Sequence, residues 1–248
     1  MTPLQLLGLI GVFAAARISL TFAHVRTAPA DSTAAATVRE YLDAFIVAGL
    51  IALFLITFVV RTFYIPSESM VPTLEQRDVL LVNEFAYRLA PPHRGDIVVF
   101  RPPVESSSNF IKRVIALPGD RLRIERGTVY VNGVAQREPY IAQKPAYGLA
   151  VKNYGIYVDN GDGYAALDPA QANIPPRRYW QHPDRIPNGF YFVMGDNRND
   201  SEDSHIWGFA QMSGRFASGP LSNSAETAAF TGRAFLVLWP LGRLRLLN

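Results

Sequence analysis

Hydrophobic and polar positions divide the chain into two unlike parts. The first holds two long apolar runs, LQLLGLIGVFAAARISLTF at 4–22 and AFIVAGLIALFLITFVV at 44–60. The second run carries no charge. At about 1.5 Å per residue it approaches the roughly 30 Å of a bilayer's hydrocarbon core, and its flanks supply Tyr41 and Tyr64 as interfacial anchors. Arg17 interrupts the first run, at a position near enough to a helix end to snorkel. One or two transmembrane helices follow as the expectation, near 4–22 and 42–62, joined by a flexible linker at 23–41. A cleaved signal peptide is the competing reading of the first run, weakened by the absence of a basic residue at 1–3.

After residue 60 the pattern shortens to strand-length runs rich in β-branched and aromatic residues: DVLLVNEF (78–85), DIVVFRP (96–102), FIKRVIAL (110–117), RLRIERGTVYVNG (121–133), FYFVMG (190–195) and AFLVLW (234–239). Most end at Gly, Pro, Asp or Asn, and RLRIERGTVYVNG reads as a hairpin turning at Arg126-Gly127. The stretch 138–187, rich in Tyr, Pro, Asn and Gly, reads as loop-heavy. The expected fold is mainly β, an antiparallel sheet domain with an inserted β/loop-rich subdomain. The expected domains are a membrane anchor at 1–63, a β domain at 64–122 and 188–248, and an inserted subdomain at 123–187.

Composition narrows the chemistry. The 248 residues include no Cys, which excludes disulfides, thiolate metal sites and a Cys nucleophile. The formal net charge of +3 comes without a basic block, so nucleic acid is not an expected partner. Arg17, Arg26 and Arg39 cluster between the two apolar runs, and the positive-inside rule puts that loop in the cytoplasm and the β portion outside; Arg61 argues weakly against this.

No G-x-S-x-G elbow, H-E-x-x-H or P-loop is present. The four histidines are scattered, with no metal-ligand spacing, and no cofactor is expected. A Ser-His-Asp triad through Asp203 and His205 is one alternative. Lysine is scarce: Lys112, Lys144 and Lys152 are the only three, against 21 Arg in a total of 24 basic residues. Lys112 lies in a strand pattern, sharing a face with Phe110. A lysine serves as a base only when burial lowers its pKa, and arginine cannot serve at all. By itself, a surface strand lysine is the simpler reading.

Four short boxes change that. IPSESMVPTL (65–74), RGDIVVFRPP (94–103), FIKRVIALPGDRL (110–122) and GDNRNDSEDS (195–204) follow a membrane run in that order, and GRAFLVLWPLGR (232–243) closes the chain. In these the chain resembles the bacterial type I signal peptidases, the Ser/Lys leader peptidases. The resemblance implies a membrane-bound serine endopeptidase that removes signal peptides from secreted pre-proteins, with its catalytic part on the extracytoplasmic side of the inner membrane.

It assigns the nucleophile to Ser69 and the general base to Lys112. It gives the oxyanion hole to Ser67 and the Ser69 N–H, and the positioning of the lysine to Ser201. Gly195, Asp196, Asn197 and Arg198 would form a supporting turn with an internal ion pair, and Asp203 would add support. Phe110 and Val193 or Met194 are candidate apolar walls for the lysine. The implied partners are pre-proteins with small residues at the cleavage site, and the lipid bilayer; 59–66 is a candidate lipid-facing rim. Two departures stand out. His205 occupies the place of an arginine that partners Asp203 in the family, and 210–230 is long, suggesting a surface loop. A specialised Ser/Lys processing peptidase of a conjugation or pilus system, and a non-catalytic membrane-anchored binding protein, are the alternatives.

Overall fold

Alternation of apolar residues along short runs produces strands, and the long, nearly continuous apolar runs before residue 59 fall on helices. A computed structural model of the chain describes residues 3–27, 33–58, 60–103, 108–211 and 230–247. The chain divides into two compact units, Met1–Arg61 and Thr62–Asn248.

The first unit holds α1 (Pro3–Thr27) and α2 (Thr33–Phe58), packed as an antiparallel pair. Phe13 stacks on Phe45 at 5.4 Å, and Ile10 fills the space above Gly49 so closely that an added Cβ would lie 2.8 Å from it. Arg17, which the sequence leaves alone in an apolar run, pairs with Asp43 at 2.8 Å. Both helices run further into 23–41 than the expected linker allows, because Ala-rich segments such as 34–36 favour helix. Of the expected spans near 4–22 and 42–62, 4–22 and 42–58 are helical while 60–62 already belong to a strand, and no helix among the described residues is long and apolar enough to cross a membrane. The charge-free described part of α2, 44–58, is roughly 22 Å long, short of the hydrocarbon thickness, and Arg17 interrupts α1.

The second unit is mainly antiparallel β. It begins with β1 (Val60–Tyr64), β2 (Val79–Asn83), a single helical turn α3 (Ala86–Leu89), β3 (Ile97–Phe100) and β4 (Phe110–Ala116). The chain then leaves for a separate sheet formed by β5 (Leu122–Glu125), β6 (Thr128–Val131), β7 (Val134–Ala135), β8 (Gly148–Lys152), β9 (Gly155–Asp159) and β10 (Tyr164–Ala166). It returns as β11 (Phe190–Met194), the turn α4 (Ser204–Trp207), β12 (Ala210–Gln211), β13 (Phe230–Trp239) and β14 (Arg245–Leu246). The larger sheet has the order β1-β2-β13-β3-β4-β11-β12, with β14 on β13; the smaller has the order β10-β9-β8-β5-β6-β7.

Each strand box of the sequence forms a strand, and the hairpin turns at Arg126-Gly127 as expected. The loop-heavy reading of 138–187 is corrected by β8, β9 and β10. Their connection, Asn153-Tyr154, has positive φ at both residues (51° and 63°), which suits a tight hairpin without the glycine that would announce it. The expected surface loop at 210–230 lies, but for its ends, outside the described residues.

Both faces of β3 and β4 are covered, so both strands read as nearly continuous apolar runs. Ile97 and Val99 join Leu80, Val82 and Val237 on one side, while Val98 and Phe100 join Val114 and Val193 on the other. The two chain crossings between the sheets are laced together by Gly119 N–H to Ile186 O (2.9 Å) and Ile186 N–H to Asp120 O (2.8 Å). This anchors β4 and β11 side by side, and the site is built on those two strands.

Candidate active site

Ser69 stands on the loop between β1 and β2. The loop is closed at its base by Ile65 N–H to Asp78 O and Arg77 N–H to Ile65 O, both 2.9 Å. Met70 and Leu74 are buried beneath it and fix its depth. Asn197 clamps it from the opposite wall, donating its N–H to Ser69 O (3.1 Å) and its side-chain amide to Glu68 O (3.2 Å).

Lys112 projects from the middle of β4. Its Nζ donates to Ser69 Oγ at 2.7 Å, although the two residues are far apart in the chain. Lys112 is only 4% exposed, with Val98 directly across from it in register and the Phe110 ring 5.4 Å from its ammonium. Val193 pairs with Val114 on this same side, whereas Met194 lies opposite Arg113; of the two candidate walls, Val193 shares the lysine's apolar cluster. Burial is the main influence on the amine and lowers its pKa from 10.5 to about 8, against the fields of Asp203, Glu202 and Asp196, which raise it.

Ser67 faces the same point, its Oγ 3.4 Å from Ser69 Oγ. Ser201 comes in from the turn after β11. Its Oγ is buried and makes no hydrogen bond, to Lys112 or to any other described group. Gly195 explains how Ser201 approaches so closely: a Cβ there would lie 2.3 Å from both Ser201 Oγ and Ser69 O. Only a residue without a side chain fits.

The turn itself differs from the expected internal ion pair. Asp196 turns outward and takes a two-pronged bond from Arg113 (2.8 and 2.7 Å) together with the Thr73 hydroxyl. Arg198 is fully buried, donates to Gly195 O, and forks onto Glu138, just after β7. Two buried carboxylate–guanidinium pairs, rather than one, thus brace residues 195–198. Asp203 caps α4 and connects outward: it accepts the Gly195 N–H at 2.9 Å and the His205 N–H at 3.2 Å, and His205 Nδ1 sits 2.6 Å from it. His205 in turn stacks on Tyr147 at 4.3 Å, nearly parallel.

Thr73, Arg113, Glu138, Tyr140 and Tyr147 all belong to this support and none is evident from the sequence. Tyr140 lies over the Arg113 guanidinium at 4.0 Å and bonds Glu138. Their only signal is position: Arg113 follows Lys112, while Glu138 and Tyr140 lie in a stretch with no strand pattern.

These groups open on a cleft of about 750 Å³, walled by 63–70, 108–112, 199–202, His205 and Ile206. A half-buried serine hydroxyl, a buried amine bonded to it and an open cleft beside them are the groups that nucleophilic hydrolysis requires.

Comparison with known proteins agrees. The profile of the family described as signal peptidase, peptidase S26, matches residues 38–219. The "Probable signal peptidase I-2" of Synechocystis sp. is 37% identical over 208 residues, covering 82% of this chain and 74% of that protein. Signal peptidase I of Pseudomonas aeruginosa is 39% identical over 181 residues, 68% of this chain and 62% of that one. A crystal structure of a signal peptidase I from Enterococcus faecalis V583 matches at 30% identity over 48% of this chain and 89% of that one, with a TM-score of 0.32. The chain belongs to the signal peptidase family, peptidase S26. It is a serine endopeptidase, one that removes signal peptides.

Proposed function

We propose that cleavage runs through Ser69 as nucleophile and Lys112 as general base, on secreted pre-proteins with small residues at the cleavage site. The observation that carries this is the 2.7 Å bond between Lys112 Nζ and Ser69 Oγ, made by a buried amine. Neutral Lys112 takes the Ser69 proton as Oγ attacks the scissile carbonyl. The tetrahedral oxyanion is met by the Ser69 N–H and the Ser67 hydroxyl, each such donor contributing about 2.7–4 kcal/mol. Lys112 then hands its proton to the departing amine, and a water deprotonated by the same lysine releases the acyl group from Ser69. Ser201 Oγ, buried without a partner beside Ser69, is the group available to hold the amine once its bond to Ser69 is lost. Residues 195–198 and Asp203 hold the wall that carries Ser201.

On this reading 64–122 and 188–248 form the catalytic portion and 123–187 an insertion, with Glu138 as its contribution to the site. The helical pair anchors the protein to the inner membrane, with catalysis on the extracytoplasmic side. Exposed Leu4, Leu7, Val12, Phe45, Val47 and Ile51 on the helices support this, as does the Arg17–Asp43 pair, which offsets charge between them. On the β unit, Trp239, Leu241, Leu244 and Leu246 are also exposed and suit contact with lipid.

The test is cleavage of a pre-protein carrying an A-x-A site. Ser69→Ala and Lys112→Ala should each lose at least about a thousandfold in kcat, and Ser67→Ala about a hundredfold. Substantial activity in either of the first two would remove the dyad.

A further inference from the structure

Away from the cleft, the outer face of the smaller sheet carries a concavity of about 610 Å³. Four cations border it: Arg121 just before β5, Arg123 on β5, Lys152 at the end of β8, and Arg185 from the returning crossing. Asp184 is the one carboxylate in its lining. Four cations against Asp184, and Glu125 paired with Arg123, leave a net +2 around a single hollow.

These charges are on one face by register. Arg123 lies opposite Ala150 and Lys152 follows two residues on, so both project to the same side of adjacent strands; Arg121 precedes Arg123 by two. Like charges set side by side on a sheet destabilise it unless something neutralises them. Here the holding groups are chiefly neutral. The Lys152 ammonium sits 4.9 and 5.0 Å from the Tyr157 and Tyr164 rings, and Arg185 donates to Gly119 O at 2.8 Å. Arg123 lies 4.4 Å over Tyr130 and, among the described residues, is the one of the four with a carboxylate partner, Glu125. Rings and a carbonyl fix a cation in place without cancelling its charge, which leaves donors aimed at the hollow for an outside anion.

We propose that this hollow binds a phosphate-bearing anion, from an anionic phospholipid headgroup or from a soluble phosphate. Arg121, Arg123, Lys152 and Arg185 supply the donors. Guanidinium forks match phosphate oxygens in pairs, and three arginines around one space suit that geometry. None of the four belongs to the Ser69 cleft, so the site is independent of the dyad.

The full chain in non-ionic detergent is titrated calorimetrically with inorganic phosphate, and separately with micelles doped with phosphatidylglycerol. At least one probe should bind saturably at one site per chain. Arg121→Gln with Lys152→Gln should weaken it at least tenfold and leave pre-protein cleavage unchanged. Ala150→Glu, which places a carboxylate beside Arg123, should do the same by a different route. Saturation by doped micelles but not by phosphate assigns the lipid headgroup; equal affinity for both assigns free phosphate. Absence of saturable binding with either probe, or equal binding by wild type and both variants, overturns the site.

Discussion

A lysine must give up a proton before it can accept one from serine, and for Lys112 the environment decides how readily that happens. Burial lowers its pKa to about 8, and three carboxylates pull it back upward. At pH 7 about one molecule in ten then carries the neutral amine. The expected profile of kcat/KM rises about tenfold per pH unit below 8 and levels above it, measured on a pre-protein between pH 6 and 10. Glu202 is exposed and raises the lysine's pKa, so Glu202→Gln should move the midpoint toward acid. A rise centred near 6.5, unmoved by Glu202→Gln, would indicate a histidine base instead. At this scale the sequence is informative about identity and silent about state. Ser69 and Lys112 stand out because four boxes occur in order. The depth of Lys112 depends on Phe110, which the strand pattern puts on the same face, and on Val98 from the neighbouring strand, which no local pattern announces. The orphaned Ser201 hydroxyl and the approach of Gly195 to Ser69 O are likewise matters of sub-ångström packing.

Between elements, the strand boxes are legible because each is a run of β-branched residues with turn residues at its ends. The hairpin of β8 and β9 is hidden, since Asn153-Tyr154 turns the chain without the glycine expected there. The supports of the site are hidden for another reason. Arg113 and Asp196 are neighbours through β4 and β11, and Arg198 and Glu138 through the insertion, so each pair is a product of topology. The second pair has a measurable consequence. Arg198 is fully buried, and Glu138→Ala would leave its charge without a partner at a cost of about 3–5 kcal/mol. Thermal unfolding should show a large fall in Tm for Glu138→Ala. Glu138→Leu combined with Arg198→Met should recover most of it, because an apolar pair of similar volume removes the uncompensated charge. Loss of Tm in the double variant equal to that in the single would mean that Glu138 acts through something other than Arg198.

Across the whole molecule, the apolar surface left over after both units have packed must be accounted for. Soluble monomers rarely expose a contiguous cluster of large apolar side chains. Here Trp239, Leu241, Leu244 and Leu246 are 55%, 67%, 54% and 71% exposed near the end of β13 and along β14. On the proposed membrane location, a patch of this kind lowers the free energy of a lipid-apposed state by roughly 25 cal/mol per Å² of apolar area covered. Trp239→Ser, Leu241→Ser and Leu246→Ser, made together in the full chain, should therefore separate two assays. Cleavage of a short soluble peptide in detergent should stay within about twofold of wild type, because none of the three residues lines the Ser69 cleft. Cleavage of a pre-protein in proteoliposomes should fall several-fold, through KM more than kcat, since lipid apposition concentrates the enzyme with its substrate. Equal losses in both assays would assign the patch to the fold, and no loss in either would show that lipid does not use it.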